Sequence, residues 1–223
     1  MESERLSQLR QNGLSRPAAT PLPTLAMTLS TKGAITPKEP GPGRPAPAWI
    51  VKFTVTYPAI PNTNRPQEPI IFKASSVTDV SRYRLQYLLN GEWRDAELGV
   101  GCMAGIDFYE ESPSEMNVAE NYGTFRVLSP GEVWERSFSV FGLDWQCPGE
   151  NTVGPGGDAF RLQYMGGPLE WWDYGRREEH KETVVTINAF GEVVSLKDNV
   201  GREKLVLQRS NVLEAIWSHS ARR

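Results

Sequence analysis

From Trp49 to Tyr57, large apolar residues occupy every second position: Trp49, Val51, Phe53, Val55 and Tyr57, with Lys52, Thr54 and Thr56 on the alternate side. A period of two is the signature of a strand with one buried face, and a helix cannot gather these residues into one stripe. The same rhythm returns at Leu25, Met27 and Leu29, at Tyr83, Leu85, Tyr87 and Leu89, and at Phe160, Leu162 and Tyr164. Residues 133–141 set Trp134, Arg136, Phe138 and Val140 against Val133, Glu135, Ser137 and Ser139, and residues 183–189 alternate as well. Ile70, Ile71 and Phe72 form a short continuous apolar run that reads as a further strand. Residues 92–96 and 124–128 add two more strands, and residues 190–196 and 205–207 two short later ones.

Turn chemistry separates these segments. Asn90-Gly91 is the strongest two-residue hairpin signal, because both positions tolerate positive φ. Ser129-Pro130-Gly131-Glu132 reads as a tight turn ahead of a strand. About eight to ten short strands with regular turns predict an all-β chain, an antiparallel β-sandwich of Ig-like type. Only the end of the chain changes period. Val212, Leu213, Ile216 and Trp217 fall at helical spacing, and Asn211 with Glu214 three residues on fits a capping pair. A short C-terminal helix or tail is therefore expected over residues 210–223.

Domain limits follow from where the apolar residues lie. Residues 1–48 hold 8 of the 17 Pro and none of the 7 Trp, 7 Tyr or 8 Phe. Residues 1–22 read as a disordered arm, and residues 36–48 as a Pro-rich loop that joins neither ladder nor helix. One sandwich domain is expected over residues 23–209. The first 48 residues carry a net charge of +3 and the remainder −6. Phosphate neutralisation needs a clustered positive field, so an acidic globular part argues against nucleic acid. No apolar run reaches the roughly 18 residues of a membrane span, so no membrane is expected as partner. The start, Met-Glu-Ser-Glu-Arg, does not read as a secretory signal, which predicts a cytoplasmic protein.

Motifs that carry chemistry are sparse. Cys102 and Cys147 form a single bridge in an oxidising compartment or two free thiols in the cytosol. Two Cys and the separated His180 and His219 fall short of a zinc ligand set, so no metal and no cofactor is expected. Gly99-x-Gly101-x-x-x-Gly105 misses the dinucleotide fingerprint and, like Gly154-Pro155-Gly156-Gly157, reads as a turn. The carboxylates Asp107, Glu110, Glu111, Glu115 and Glu120 lack calcium-loop spacing and read as a solvated run. No catalytic residue is assigned. The most unusual segment is Glu170-Trp171-Trp172-Asp173-Tyr174-Gly175. Adjacent strand residues point to opposite faces, so one Trp enters the core while the other stands outside or caps a sheet edge. An outward Trp beside Asp173 and Tyr174, with His180 in a charged run nearby, makes Trp171, Trp172, Asp173, Tyr174 and His180 the candidate partner or ligand surface. The alternative reading gives both Trp a structural role.

The stretch Gly123-Thr124-Phe125-Arg126-Val127-Leu128-Ser129-Pro130-Gly131-Glu132, the alternating strand after it, and Gly157-Asp158-Ala159-Phe160-Arg161-Leu162-Gln163-Tyr164 carry a family resemblance. Their order resembles the N-terminal sandwich of deuterolysin-type endopeptidases and is similar to the bacterial intracellular proteinase inhibitor fold. The resemblance spans residues 24–190 and implies fold rather than activity. The His-Glu-x-x-His zinc signature of the deuterolysins is absent, so their protease activity does not carry over.

The function expected is a non-catalytic sandwich acting through protein–protein contacts. The alternatives are a small-molecule or carbohydrate binder, an accessory biosynthetic enzyme with an aromatic-lined pocket, and, from the resemblance alone, a protease inhibitor.

Overall fold

The computed structural model describes residues 22–31, 49–60, 67–98, 114–140, 145–146, 159–188, 193 and 203–216. The expected arm over residues 1–22 (save Leu22), the Pro-rich loop 36–48, both glycine motifs, Cys102, Cys147 and residues 217–223 lie outside them.

The strands run in chain order as β1 (Ala26–Thr31), β2 (Ile50–Thr56), β3 (Ile70–Lys73), β4 (Tyr83–Leu89), β5 (Glu92–Asp95), β6 (Glu97–Leu98), β7 (Ser114–Asn117) and β8 (Phe125–Leu128). They continue as β9 (Val133–Ser139), β10 (Trp145–Gln146), β11 (Ala159–Tyr164), β12 (Gly167–Pro168), β13 (Trp172–Tyr174), β14 (Val184–Ile187), β15 (Val206–Leu207) and β16 (Leu213–Ile216). One turn of helix, α1 (Ser75–Thr78), follows β3. No helix among the described residues is long and apolar enough to cross a membrane.

The chain is all-β, and every strand pairing among the described residues is antiparallel. Three sheets form the frame, ordered β1-β2-β9, β16-β11-β4-β5 and β13-β3-β8, with three two-stranded pairs beside them. The expected alternation is realised on β2, where Val51, Phe53 and Val55 are buried, and on β4 and β11. Met27 and Leu29 of β1, Phe53 of β2, Leu85 of β4 and Leu162 of β11 share one large core. Ring contacts tie the sheets together: Tyr83 of β4 lies edge-on to Phe138 of β9 at 5.4 Å, and Trp49 meets Phe160 of β11 at 6.4 Å. This arrangement is compatible with a β-sandwich.

Turns fall where the residues demand them. Asn90 and Gly91 both take positive φ, 54° and 82°, which closes the β4–β5 hairpin in two residues. In the 129–132 turn, Gly131 has φ 85° after Pro130, the pattern of a type II turn. Its N–H donates to Tyr57 O at 2.7 Å, and the Glu132 carboxylate accepts from Ser129 N–H at 2.7 Å.

The end of the chain departs from expectation. Residues 213–216 form strand β16, not a helix, and pair with β11. Leu213 and Ala215 turn inward toward the core, while Glu214 bonds to Arg161 across the pair. Asn211 caps no helix. Its carboxamide accepts from Leu29 N–H at 2.8 Å and donates to Leu29 O at 3.0 Å, taking the place of a neighbouring strand at the edge of β1. The open edge of β11 and the bare edge of β1 offer backbone partners that an isolated turn of helix lacks, so tertiary pairing overrides the local period. Of the expected strand at 190–196, the described structure holds one bridge, Val193 to Ile187.

Two buried tyrosines close the other end of the core. Tyr83 and Tyr164 stand edge to face at 5.2 Å and donate their hydroxyls to Val77 O and Ser76 O in α1, both at 2.9 Å. Burial raises the pKa of both phenols above the ordinary value of 10.0. A raised folded-state value leaves stability intact below the unfolded pKa and erodes it as pH climbs above about 10. Urea midpoints should therefore fall from about pH 10 upward, and Tyr83→Phe should flatten that fall while costing about 1 kcal/mol at neutral pH. Asn211→Ala, which strips the clamp from β1, should cost about 1–2 kcal/mol in the same measurement.

Candidate functional site

The candidate segment around Trp171 and Trp172 is placed by β3. Strand β13 pairs with it so that Trp172 faces Phe72 and Tyr174 faces Ile70. The expectation that neighbouring Trp residues point opposite ways is met, yet neither reaches solvent. Trp172 is 4% exposed and joins the main core, where its indole donates to Glu203 O at 3.2 Å and meets the Tyr174 ring edge-on at 5.1 Å. Trp171 is fully buried in a second, smaller core with Ile71, Val118, Phe125, Val185 and Ile187. Both indoles are therefore enclosed within the two apolar clusters of the described residues.

His180 is likewise interior, at 1% exposure. Nε2 lies 3.0 Å from Tyr174 O and Nδ1 3.2 Å from Thr183 Oγ1. Donation to the carbonyl places the proton on Nε2 and lets Nδ1 accept from the hydroxyl. Asp173 Oδ2 stands 4.0 Å from Nδ1, and the imidazole meets Trp171 edge-on at 6.0 Å. An imidazole with both nitrogens occupied by the fold is a staple between the 3-10 turn Arg177–His180 and β13. Arg177 beside it is also clamped: its guanidinium donates to Val118 O at 3.0 Å and Phe125 O at 2.6 Å, and lies 4.3 Å over the Tyr122 ring. Thus Trp171, Trp172, Asp173, Tyr174 and His180 come together, with the two indoles and the imidazole buried and Asp173 and Tyr174 half-buried.

An exposed groove lies elsewhere, on the outer side of sheet β16-β11-β4-β5. Inward alternation of Leu85, Tyr87, Phe160 and Leu162 turns Arg84, Gln86, Arg161 and Gln163 outward. With Val212 and Glu214 they line a shallow groove of about 330 Å³. The register sets them in rows, with Arg161 between Gln86 and Glu214, and Gln163 beside Arg84. Arg84 grips Asp95 through Nε and Nη2 at 2.7 and 2.9 Å, and Gln86 donates to the same carboxylate at 3.0 Å. The Arg84 hydrogen bonds hold the Asp95 carboxyl below its usual range and raise the Arg84 pKa, so this pair stays ionised through neutral pH. Arg161 donates Nε to Glu214 at 2.7 Å and lays its guanidinium 3.9 Å over the Trp93 ring. Ile216 is 71% and Val212 47% exposed.

None of these residues stands out in the sequence, although the outward phase of two predicted strands contains Arg84, Gln86, Arg161 and Gln163. What assembles them is the β4–β11 pairing, across more than seventy residues of chain, which no local pattern encodes. Among the described residues, no group of three or more His, Cys, Asp and Glu side chains is placed to hold a metal ion.

Trp171→Ala should empty the second core and cost about 3–5 kcal/mol in chemical denaturation. It should do so as a stability defect, with the surface groove left in place.

Comparison with protein-family models, with curated proteins and with solved structures returned no match to this chain.

Proposed function

We propose that this chain is a non-catalytic binding protein, an Ig-like β-sandwich of the cytoplasm, that acts by contacting a protein partner through the outer face of β16-β11-β4-β5. The observation that carries this reading is the composition of that face. It combines an indole with a stacked guanidinium, Trp93 and Arg161, next to exposed Val212 and Ile216, with ion pairs at its margins. Trp and Arg dominate binding energy at protein interfaces, and a polar rim around apolar contacts is their usual setting. The net charge of −6 over residues 49–223 favours a protein over a nucleic acid as partner. The occupied nitrogens of His180 favour binding over acid–base chemistry at the one imidazole in the described chain.

Affinity capture from the native host tests the reading by comparing the unaltered protein with a Val212→Asp, Ile216→Asp double variant. The expected result is a stoichiometric protein partner on the unaltered chain, reduced at least about tenfold by the variant while the far-UV circular dichroism is unchanged. A partner retained equally by both, or no stoichiometric partner at all, overturns it.

A further inference from the structure

We infer that the groove on this face is a carboxylate-binding subsite, which takes an Asp or Glu side chain flanked by an aliphatic residue on a partner polypeptide. The inference rests on the proposed binding role of the face and adds the chemistry that it recognises.

The first support is the surplus of donors. A guanidinium offers five N–H groups. Arg84 commits only Nε and Nη2, both to Asp95, and Arg161 commits only Nε, to Glu214. The remaining N–H groups of both have no hydrogen-bond partner among the described residues. Each amide of the groove gives one N–H, Gln86 to Asp95 and Gln163 to Ser210 O at 3.0 Å, and keeps a second N–H beyond that bond. A ligand rich in acceptors matches what is left, and guanidinium prefers a carboxylate to any neutral acceptor.

The second support is the placement of charge. Arg84 pairs across from Gln163 and Gln86 from Arg161, so the two arginines sit on the diagonal of adjacent strands. Diagonal neighbours lie about 7–8 Å apart, within joint reach of one anion. Their counter-ions stand on the outer strands of the sheet, Asp95 on β5 and Glu214 on β16. The middle of the groove is therefore bracketed by two cations, with the anions at its flanks. The acidic remainder of the protein does not cancel this field, because charges beyond about 8 Å are screened at physiological salt. Val212, exposed on the same wall, gives an aliphatic neighbour of the ligand carboxylate its contact.

The probes are the capped tripeptide acetyl-Val-Glu-Val-amide and its Gln counterpart, titrated into isotopically labelled full-length protein. The readout is the Nε–H resonances of Arg84 and Arg161 and the indole resonance of Trp93. The Glu peptide should shift all three and the Gln peptide should not. The dissociation constant should rise at least about tenfold in Arg161→Gln and several-fold in Arg84→Gln, and should rise with salt as expected for an exposed charge contact. Equal binding of both peptides would make the groove a site for neutral ligands and overturn the inference. So would resonances that stay fixed at millimolar peptide. If the Val212→Asp, Ile216→Asp variant still loses its protein partner in that case, the binding face stands and only the carboxylate falls. If no partner is captured either, both fall.

Discussion

A strand buried on both faces organises this molecule. All four residues of β3, Ile70 to Lys73, are inaccessible, and both of its edges are paired, to β13 and to β8. Ile70 and Phe72 face the main core and Ile71 the second, so the two apolar clusters meet back to back across one backbone. The same strand ends in a buried cation. Lys73 forms an ion pair with Glu170, whose N–H donates to Ser76 Oγ at 2.9 Å, and Lys73 N–H donates to Trp171 O at 3.0 Å. A charge taken out of water demands a counter-ion held in place. That demand positions residues 170–172, and strand alternation then sends Trp171 into one core and Trp172 into the other. The aromatic pair is thus a consequence of β3, and so is the joint that His180 staples.

The sheet edges are guarded by particular side chains. Asn211 occupies the backbone of β1, β5 carries Glu92, Arg94 and Asp95, and on β9 the exposed Arg136 stands on the same strand face as Trp134 and Phe138, which pack against the core. Charged and inward-pointing groups discourage strand-to-strand association. Edges blunted in this way leave the sheet faces as the open surface, and among the described residues the outer face of β16-β11-β4-β5 combines a groove, an indole and guanidinium donors beyond those of its ion pairs. The ion pairs there are individually weak at the surface. Their value is geometric, since they hold Arg84 and Arg161 in fixed orientations.

Much of the fold is legible before any coordinates. The alternation of β1, β2, β4 and β11, the Asn90-Gly91 hairpin and the Pro130-Gly131 turn are local statements about period and φ, and each is realised. The apolar run at Ile70 to Phe72 is realised too, with both faces covered. The end of the chain misleads because Val212, Leu213 and Ile216 satisfy a helical period over too short a stretch to form a stable helix alone, and β11 offers a ladder instead. The Trp pair misleads for a related reason. Alternation tells that Trp171 opposes Trp172, but not that Trp171 has a second core to enter on the far side.

The amino-acid order alone determines which residues of each strand share a face, and so it already divides Leu85 and Leu162 from Arg84, Gln86, Arg161 and Gln163. Which strands become neighbours is decided only in the tertiary structure. Pairing β4 with β11 and β11 with β16 joins segments far apart in the chain, through hydrophobic burial that carries no directional label in the sequence. The groove and its two arginines exist only because that pairing, and not the local pattern, brings their outward positions into register.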